Sequence, residues 1–228
     1  TKPELMRDAS VPVLTEPVFC EPLTDIDGNI YKTVKIGNRI WTAENLKTTR
    51  YNDSLPILLI TDDTEWRNAK KGAYCHYNHN FNNTEKFGAL YNWHALQSGK
   101  LAPDGWHVPA DSDWNYLERY LKDFGFNADG TRTGSRIGKA IASTMNWAQY
   151  QTGGAIGNIS SNNNSTGFSA LPGGHRYLNG EFFDLRKMGF YWSSTENGHI
   201  YAWDRHLSYD SINCIEKAEI NSGGFLCD

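Results

Sequence analysis

A loop-rich α+β domain is the fold class this chain predicts, on three observations. After Pro109, the residues Trp114, Leu117, Leu121 and Phe124 recur at helical spacing. The last third alternates glycine turns with short aromatic runs (Phe182-Phe183, Tyr191-Trp192, Tyr201 to Trp203), the pattern of an irregular antiparallel sheet. Between Asp25 and Ile40, the apolar Tyr31, Val34, Ile36 and Ile40 sit among polar residues, punctuated by the turn signals Asp27-Gly28-Asn29 and Gly37-Asn38.

Residues 1–23 carry Pro3, Pro12, Pro17 and Pro22 with little periodicity and read as a tether or extended strap. Residues 24–228 read as one domain, without an internal repeat. Asp62 is placed to cap a short helix, with Glu65 at the capping-box position. Leu90, Trp93 and His94 predict a helix over 85–98 that stops near Gly99. The helix after Pro109 has Asp111 and Asp113 in its first turn, where carboxylates favour the helix dipole, and Gly125 as its stop. A weaker helix is predicted over 135–143, and the Asn- and Ser-rich 158–165 stretch is a loop.

Composition excludes several functions. The net charge is −4 with acidic and basic residues interspersed, unlike the basic stripe of a nucleic-acid binder, and there is no basic tail for a membrane surface. No run of about 18 apolar residues is present to span a bilayer. Aromatics make up 13% of the chain, with eight Trp and twelve Tyr, so a core of few, large rings is expected. Cys20, Cys75, Cys214 and Cys227 form no CxxC pair and allow three pairings. Cys214 and Cys227 are close enough in sequence to clip a final hairpin, and four free buried thiols are the alternative.

Five ordered motifs carry a resemblance. Asp25-Ile-Asp-Gly-Asn-Ile-Tyr-Lys-Thr-Val-Lys-Ile-Gly-Asn38 with Trp41-Thr-Ala-Glu-Asn-Leu-Lys47 comes first, then Gly88-Ala-Leu-Tyr-Asn-Trp93 and Pro103-Asp-Gly-Trp-His-Val-Pro109. Gly167-Phe-Ser-Ala-Leu-Pro-Gly-Gly174 and Tyr191-Trp-Ser-Ser-Thr-Glu196 follow. Together they resemble the Fibrobacter succinogenes major paralogous domain family over residues 24–228. The C-terminal Gly224-Phe-Leu-Cys227 departs from the longer Gly-Phe…Arg-Cys ending often seen there. The resemblance implies an exported or lipoprotein context in Bacteroidetes-like bacteria and no known activity. More distantly, Gly105-Trp-His-Val-Pro-Ala-Asp-Ser-Asp-Trp114 is similar to a stretch of formylglycine-generating enzymes and diversity-generating receptors. That similarity implies a C-type-lectin-like fold with ligand sites among the late loops; fold alone does not give function.

Candidate chemistry is sparse. Asp25, Asp27 and Asn29 have the spacing that opens a calcium loop, but Ile30 stands where Gly is needed, so a β-turn is expected. Cys75, His76 and His79 lack a fourth zinc ligand at matching spacing. Cys214 and Cys227 do not sit in the copper-site pattern of the formylglycine-generating enzymes. Ser193 and Ser194 lie in no nucleophile elbow, and Glu181, Asp184, Glu196 and Asp204 are expected to be solvated. No catalytic residue, metal or cofactor is expected. The binding expectation falls on Glu196, His199, Asp204, Arg205 and His206, where charge and aromatics mix. Strand alternation assigns Tyr201, Trp203, Arg205 and Leu207 to the core and Asp204 and His206 to the surface, so Asp204→Ala is expected to leave the melting temperature unchanged. Trp106 and Trp114 are expected in the core. The expected function is non-catalytic recognition of a glycan or a protein, extracytoplasmic, at the cell surface or as an outer-membrane lipoprotein whose anchor lies in a removed N-terminal segment. A structural or adhesin module, and a hydrolase or oxidase on the same fold, are the alternatives.

Overall fold

The computed structural model describes residues 16–198, 201–220 and 224–225. The first sheet is antiparallel, in the order β1 (Val18–Thr24), β2 (Ile30–Ile36), β3 (Arg39–Thr42). Asp25 builds the β1–β2 turn. Its Oδ1 accepts from the Asp27 and Asn29 amides, both at 2.9 Å, and its Oδ2 from Tyr31 Oη at 2.6 Å and Asn29 Nδ2 at 2.8 Å. Four donors occupy this carboxylate, which is turn chemistry rather than cation chemistry. Gly37-Asn38 closes the β2–β3 hairpin in two residues. Residues 18–23, read as part of an extended strap, pair with β2 as a strand.

The chain continues through β4 (Leu58–Leu59), α1 (Asp63–Asn68), β5 (Ala73–Cys75), α2 (Phe81–Phe87), β6 (Leu90–Asn92) and α3 (Trp93–Gln97). Then come α4 (Asp111–Asp123), α5 (Gly138–Ile141), β7 (His175–Arg176) and β8 (Phe182–Phe183). β9 (Met188–Glu196), β10 (Tyr201–Ser208), β11 (Cys214–Ile220) and β12 (Gly224–Phe225) close the order. A second antiparallel sheet runs β11-β10-β9, and a third runs β4-β5-β6-β12-β7-β8, parallel between β4 and β5 and antiparallel at its other described pairings. The fold is α+β, with small, mostly antiparallel sheets and few helices.

α4 forms where its periodicity predicts, burying Trp114, Leu117 and Leu121, and Gly125 follows it with φ 80°. Asp62 caps α1 by accepting the Glu65 amide at 2.8 Å. The single helix expected over 85–98 is instead two helices separated by β6. The cause is Gly88: its φ is 85°, and a Cβ there would lie 2.4 Å from Asn45 Cβ, so the chain turns out of the helix and pairs as a strand. Asn92 restarts it, its Oδ1 accepting the amides of Ala95 at 3.1 Å and Ala73 at 2.9 Å. The helix expected over 135–143 shortens to α5.

Among the described residues, the buried side chains form two clusters. One gathers Trp41, Trp114, Phe168 and Tyr191, with the Trp41 and Trp114 rings 5.3 Å apart. The other gathers Tyr31, Tyr91, Trp93 and Trp192, with the Trp93 and Trp192 rings 5.5 Å apart. β9 feeds both, sending Tyr191 to the first and Phe190 and Trp192 to the second.

Candidate functional site

Of the late residues that the structure describes, Asp204, Arg205 and His206 are buried rather than gathered at the surface. β10 is the central strand of its sheet and is covered on both faces, so Asp204 and Arg205 are wholly buried and His206 is 7% exposed. Arg205 reaches toward α4, with Nε 2.6 Å from Glu118 Oε1 and further ion pairs to Asp111 at 2.9 Å and Glu216 at 3.2 Å. His206 packs on the Phe190 ring and places Nδ1 3.4 Å from Asp204 Oδ1. The expectation that Asp204 and His206 face solvent is therefore corrected: one exposed face per strand holds for an edge or one-sided sheet, and β10 belongs to neither. Glu196 is exposed at the end of β9, where its Oε1 accepts from Gln97 Nε2 at 2.5 Å. His199 lies outside the described residues.

Cys75, Cys214, His76 and His79 are equally committed. Cys214 is a free, buried thiol whose pKa burial pushes well up, while Cys227 lies outside the described residues. Cys75 is buried too, its thiol pushed up to about 12 by burial. His76 bonds Thr84 Oγ1 at 2.7 Å, and His79 meets the Phe182 ring edge-on at 5.0 Å. Among the described residues no three His, Cys, Asp or Glu side chains are placed to hold a metal.

The fold does present a cleft of about 580 Å³ between β3 and the loop that leads into α4. Arg39, Ile40, Trp41 and Thr42 line one part; Gly105, Trp106, His107, Pro109 and Asp113 line the rest. Asp113 organises the charge. It forms an ion pair with Arg39, while its Oδ2 accepts from the Ala110 amide at 2.7 Å and lies 3.1 Å from His107 Nε2. Ala110 has no side-chain acceptor to cap α4, so Asp113 supplies only the returning arm of a capping box. Thr195 Oγ1, on β9, takes the Asp111 amide at 3.0 Å.

Arg39 is set by the hairpin behind it. Its guanidinium lies 4.8 Å from the Tyr116 ring centroid, and the Asn38 amide donates to Tyr116 Oη at 3.2 Å. Gly37, at φ 65°, lets the turn approach so closely that a Cβ would stand 2.5 Å from that hydroxyl. The cleft is open to solvent: the His107 side chain is 75% exposed and that of Arg39 is 35% exposed. Trp106, expected in the core, is only half-buried. Trp41 Nε1 and Thr42 Oγ1 are buried beside the cleft without a hydrogen-bond partner.

This constellation places an indole and an isoleucine next to a fork of donors and a carboxylate. Such a surface stacks on an apolar ring face while bonding hydroxyls at its edge. Sequence reasoning missed Arg39 and Tyr116, and took Asp113 only as a dipole partner. The one signal was the motif Pro103 to Pro109, which contributes Gly105, Trp106, His107 and Pro109 to the lining.

No curated protein and no solved structure matches this chain. A family model matches residues 34–221, a span that takes in β3, the 105–109 loop, α4 and the β9–β11 sheet. The chain thus belongs to the Fibrobacter succinogenes major domain family.

Proposed function

We propose that the protein is a non-catalytic recognition module, extracytoplasmic and displayed at the cell surface as a lipoprotein, and that the cleft between β3 and α4 binds a glycan. The half-buried Trp106 beside the Arg39–Asp113 pair carries this reading. A half-buried indole can still cover the apolar face of a pyranose with its open side, and a paired arginine and carboxylate offer donors and acceptors to vicinal hydroxyls. A non-catalytic role fits the engagement of the Asp113 carboxylate, which is held by Arg39 and a backbone amide. A C-type-lectin-like fold is the finer architecture we assign. α4, which follows the 105–109 loop directly, packs by Trp114 onto β9, with Trp114 Nε1 donating to Trp192 O at 3.3 Å. The surface location rests on the family; no helix among the described residues is long and apolar enough to cross a membrane.

A protein partner is the second reading, favoured by Val18 and Ile40. They flank Lys35 on one cross-strand rung of the first sheet and are 54% and 48% exposed. A glycan-array screen of the purified protein, with and without EDTA, separates these readings. Binding that survives EDTA and weakens roughly tenfold in Trp106→Ala is expected. Binding abolished by EDTA overturns the metal-free mode, and an array without any specific signal overturns the glycan reading in favour of a protein partner.

A further inference from the structure

The segment that leaves β3 runs from the wall of the first cleft into the wall of a second. Ala43, Glu44, Asn45 and Lys47 line a groove of about 580 Å³, completed by the 143–146 loop, by Asn164 and Ser169, and by the end of α2. The groove shares no lining residue with the Trp106 cleft, and three of its properties point one way.

The first is its backbone. Nine non-glycine residues among those described have positive φ, and three of them line this groove: Asn146 at 74°, Asn164 at 65° and Ser169 at 64°. Asparagine tolerates that region; serine has less reason to occupy it. Left-handed residues persist where their surroundings over-determine them, and they cluster at ligand sites. Here the lock is visible. Asn164 Nδ2 donates to Ser169 Oγ at 2.7 Å, and the Ser169 amide donates back to Asn164 Oδ1 at 2.8 Å. Arg186 Nε donates to the Asn146 carbonyl at 3.3 Å from outside the groove.

The second property is charge. Glu44 and Glu85 are matched by Lys47 and Lys86, and Lys47 Nζ pairs with Glu85 at 3.0 Å, so the lining selects neither anion nor cation. The third is the polar inventory. Thr144 and Asn146 carry a hydroxyl and an amide that both donate and accept, the same dual capacity as a sugar hydroxyl, while Asn164 and Ser169 hold each other in place beside them. Met145, 69% exposed at the same loop, supplies an adaptable apolar contact for C–H groups.

We infer that this groove is a second carbohydrate site, separate from the Trp106 cleft, that takes a segment of neutral oligosaccharide by hydrogen bonding rather than by aromatic stacking. It shares with the proposed function only the class of ligand, and the two fail independently. The test is amide chemical-shift mapping of the full chain, titrated in turn with cellohexaose, xylohexaose and mannohexaose. With at least one of them, shifts are expected over 143–146 and 164–169, retained in Trp106→Ala and lost in Thr144→Arg, a change at an exposed position that leaves the remaining spectrum in place. Shifts confined to 39–42 and 105–109 and lost in Trp106→Ala would overturn the second site and leave the first. Shifts at the groove alone would keep the second site and remove the first. Groove shifts that persist in Thr144→Arg, or no shifts with any of the three sugars at millimolar concentration, overturn it.

Discussion

Arg205 sits in the interior between Glu118 and Asp111 of α4 and Glu216 of β11, with no exposed side-chain surface of its own. Burying a guanidinium is tolerable only because three carboxylates surround it, and Glu118, 12% exposed, depends on the guanidinium in turn. Arg205→Ala should therefore cost about 3–5 kcal/mol, read as a large fall in melting temperature by circular dichroism. A loss below about 1 kcal/mol would mean the cluster is solvated, as exposed ion pairs are. The neighbouring Asp204, wholly buried, is likewise expected to destabilise on replacement by Ala, reversing what strand alternation suggests from sequence. Gly37 is a second sensitive position. Gly37→Ala meets both a left-handed φ of 65° and Tyr116 Oη, and should cost about 1–2 kcal/mol. Because that hydroxyl also holds the Asn38 amide next to Arg39, the glycan binding proposed for the first cleft should weaken in the same variant, measured by calorimetric titration. Unchanged binding would show that Arg39 is positioned by Asp113 alone.

At the scale of elements, the β1–β2 turn and the segment after β3 are joined by Asp27, and this joint is sensitive to acid. Burial raises the Asp27 carboxyl pKa. The Thr49 amide, the Arg50 guanidinium and the hydroxyls of Thr49 and Thr48 outweigh that and hold it below the ordinary 3.8. A carboxyl whose folded pKa is depressed adds stability that is complete above its ordinary value and is lost as pH falls through the folded one. Urea unfolding at about pH 5 and about pH 3 should therefore show a larger drop for the wild type than for Asp27→Asn, whose amide does not titrate. Equal drops would assign the acid sensitivity elsewhere. Elements governed by local rules were legible in sequence: α4 by its apolar period, the Gly37-Asn38 hairpin by its turn residues, α1 by its Asp62 cap. The 85–98 region was not, because its break depends on the approach of Asn45 to Gly88, a contact between segments some forty residues apart. The same limit applies to the sites. Trp106 and Asp113 belong to one motif, but Arg39 reaches them only through the hairpin's packing on Tyr116, and the groove lined by Asn164 exists only once α2 and the 143–146 loop have met.

For the molecule as a whole, the question is whether the two aromatic clusters unfold together. β9 ties them: Tyr191 enters one cluster, and Phe190 and Trp192 enter the other from adjacent positions on the strand. Trp192 is the strongest link. Its Nε1 donates to the Tyr91 carbonyl at 3.0 Å within the second cluster, while its own carbonyl accepts from Trp114 Nε1 of the first at 3.3 Å. A strand shared this way cannot leave one cluster intact while the other melts, so unfolding should be a single transition in which calorimetric and van't Hoff enthalpies agree. Trp192→Ala removes a fully buried indole and should cost about 3–5 kcal/mol, with Trp114→Ala in the same range. The decisive readout is the shape of the calorimetric trace rather than the size of the shift. If Trp192→Ala lowers one melting step and exposes a second, later one, the clusters are separate folding units and β9 is a seam between them. If the whole transition moves down as one, the strand is what makes the two clusters a single core, and the first cleft, whose Trp41 belongs to the first cluster, loses its wall at the same temperature as the rest.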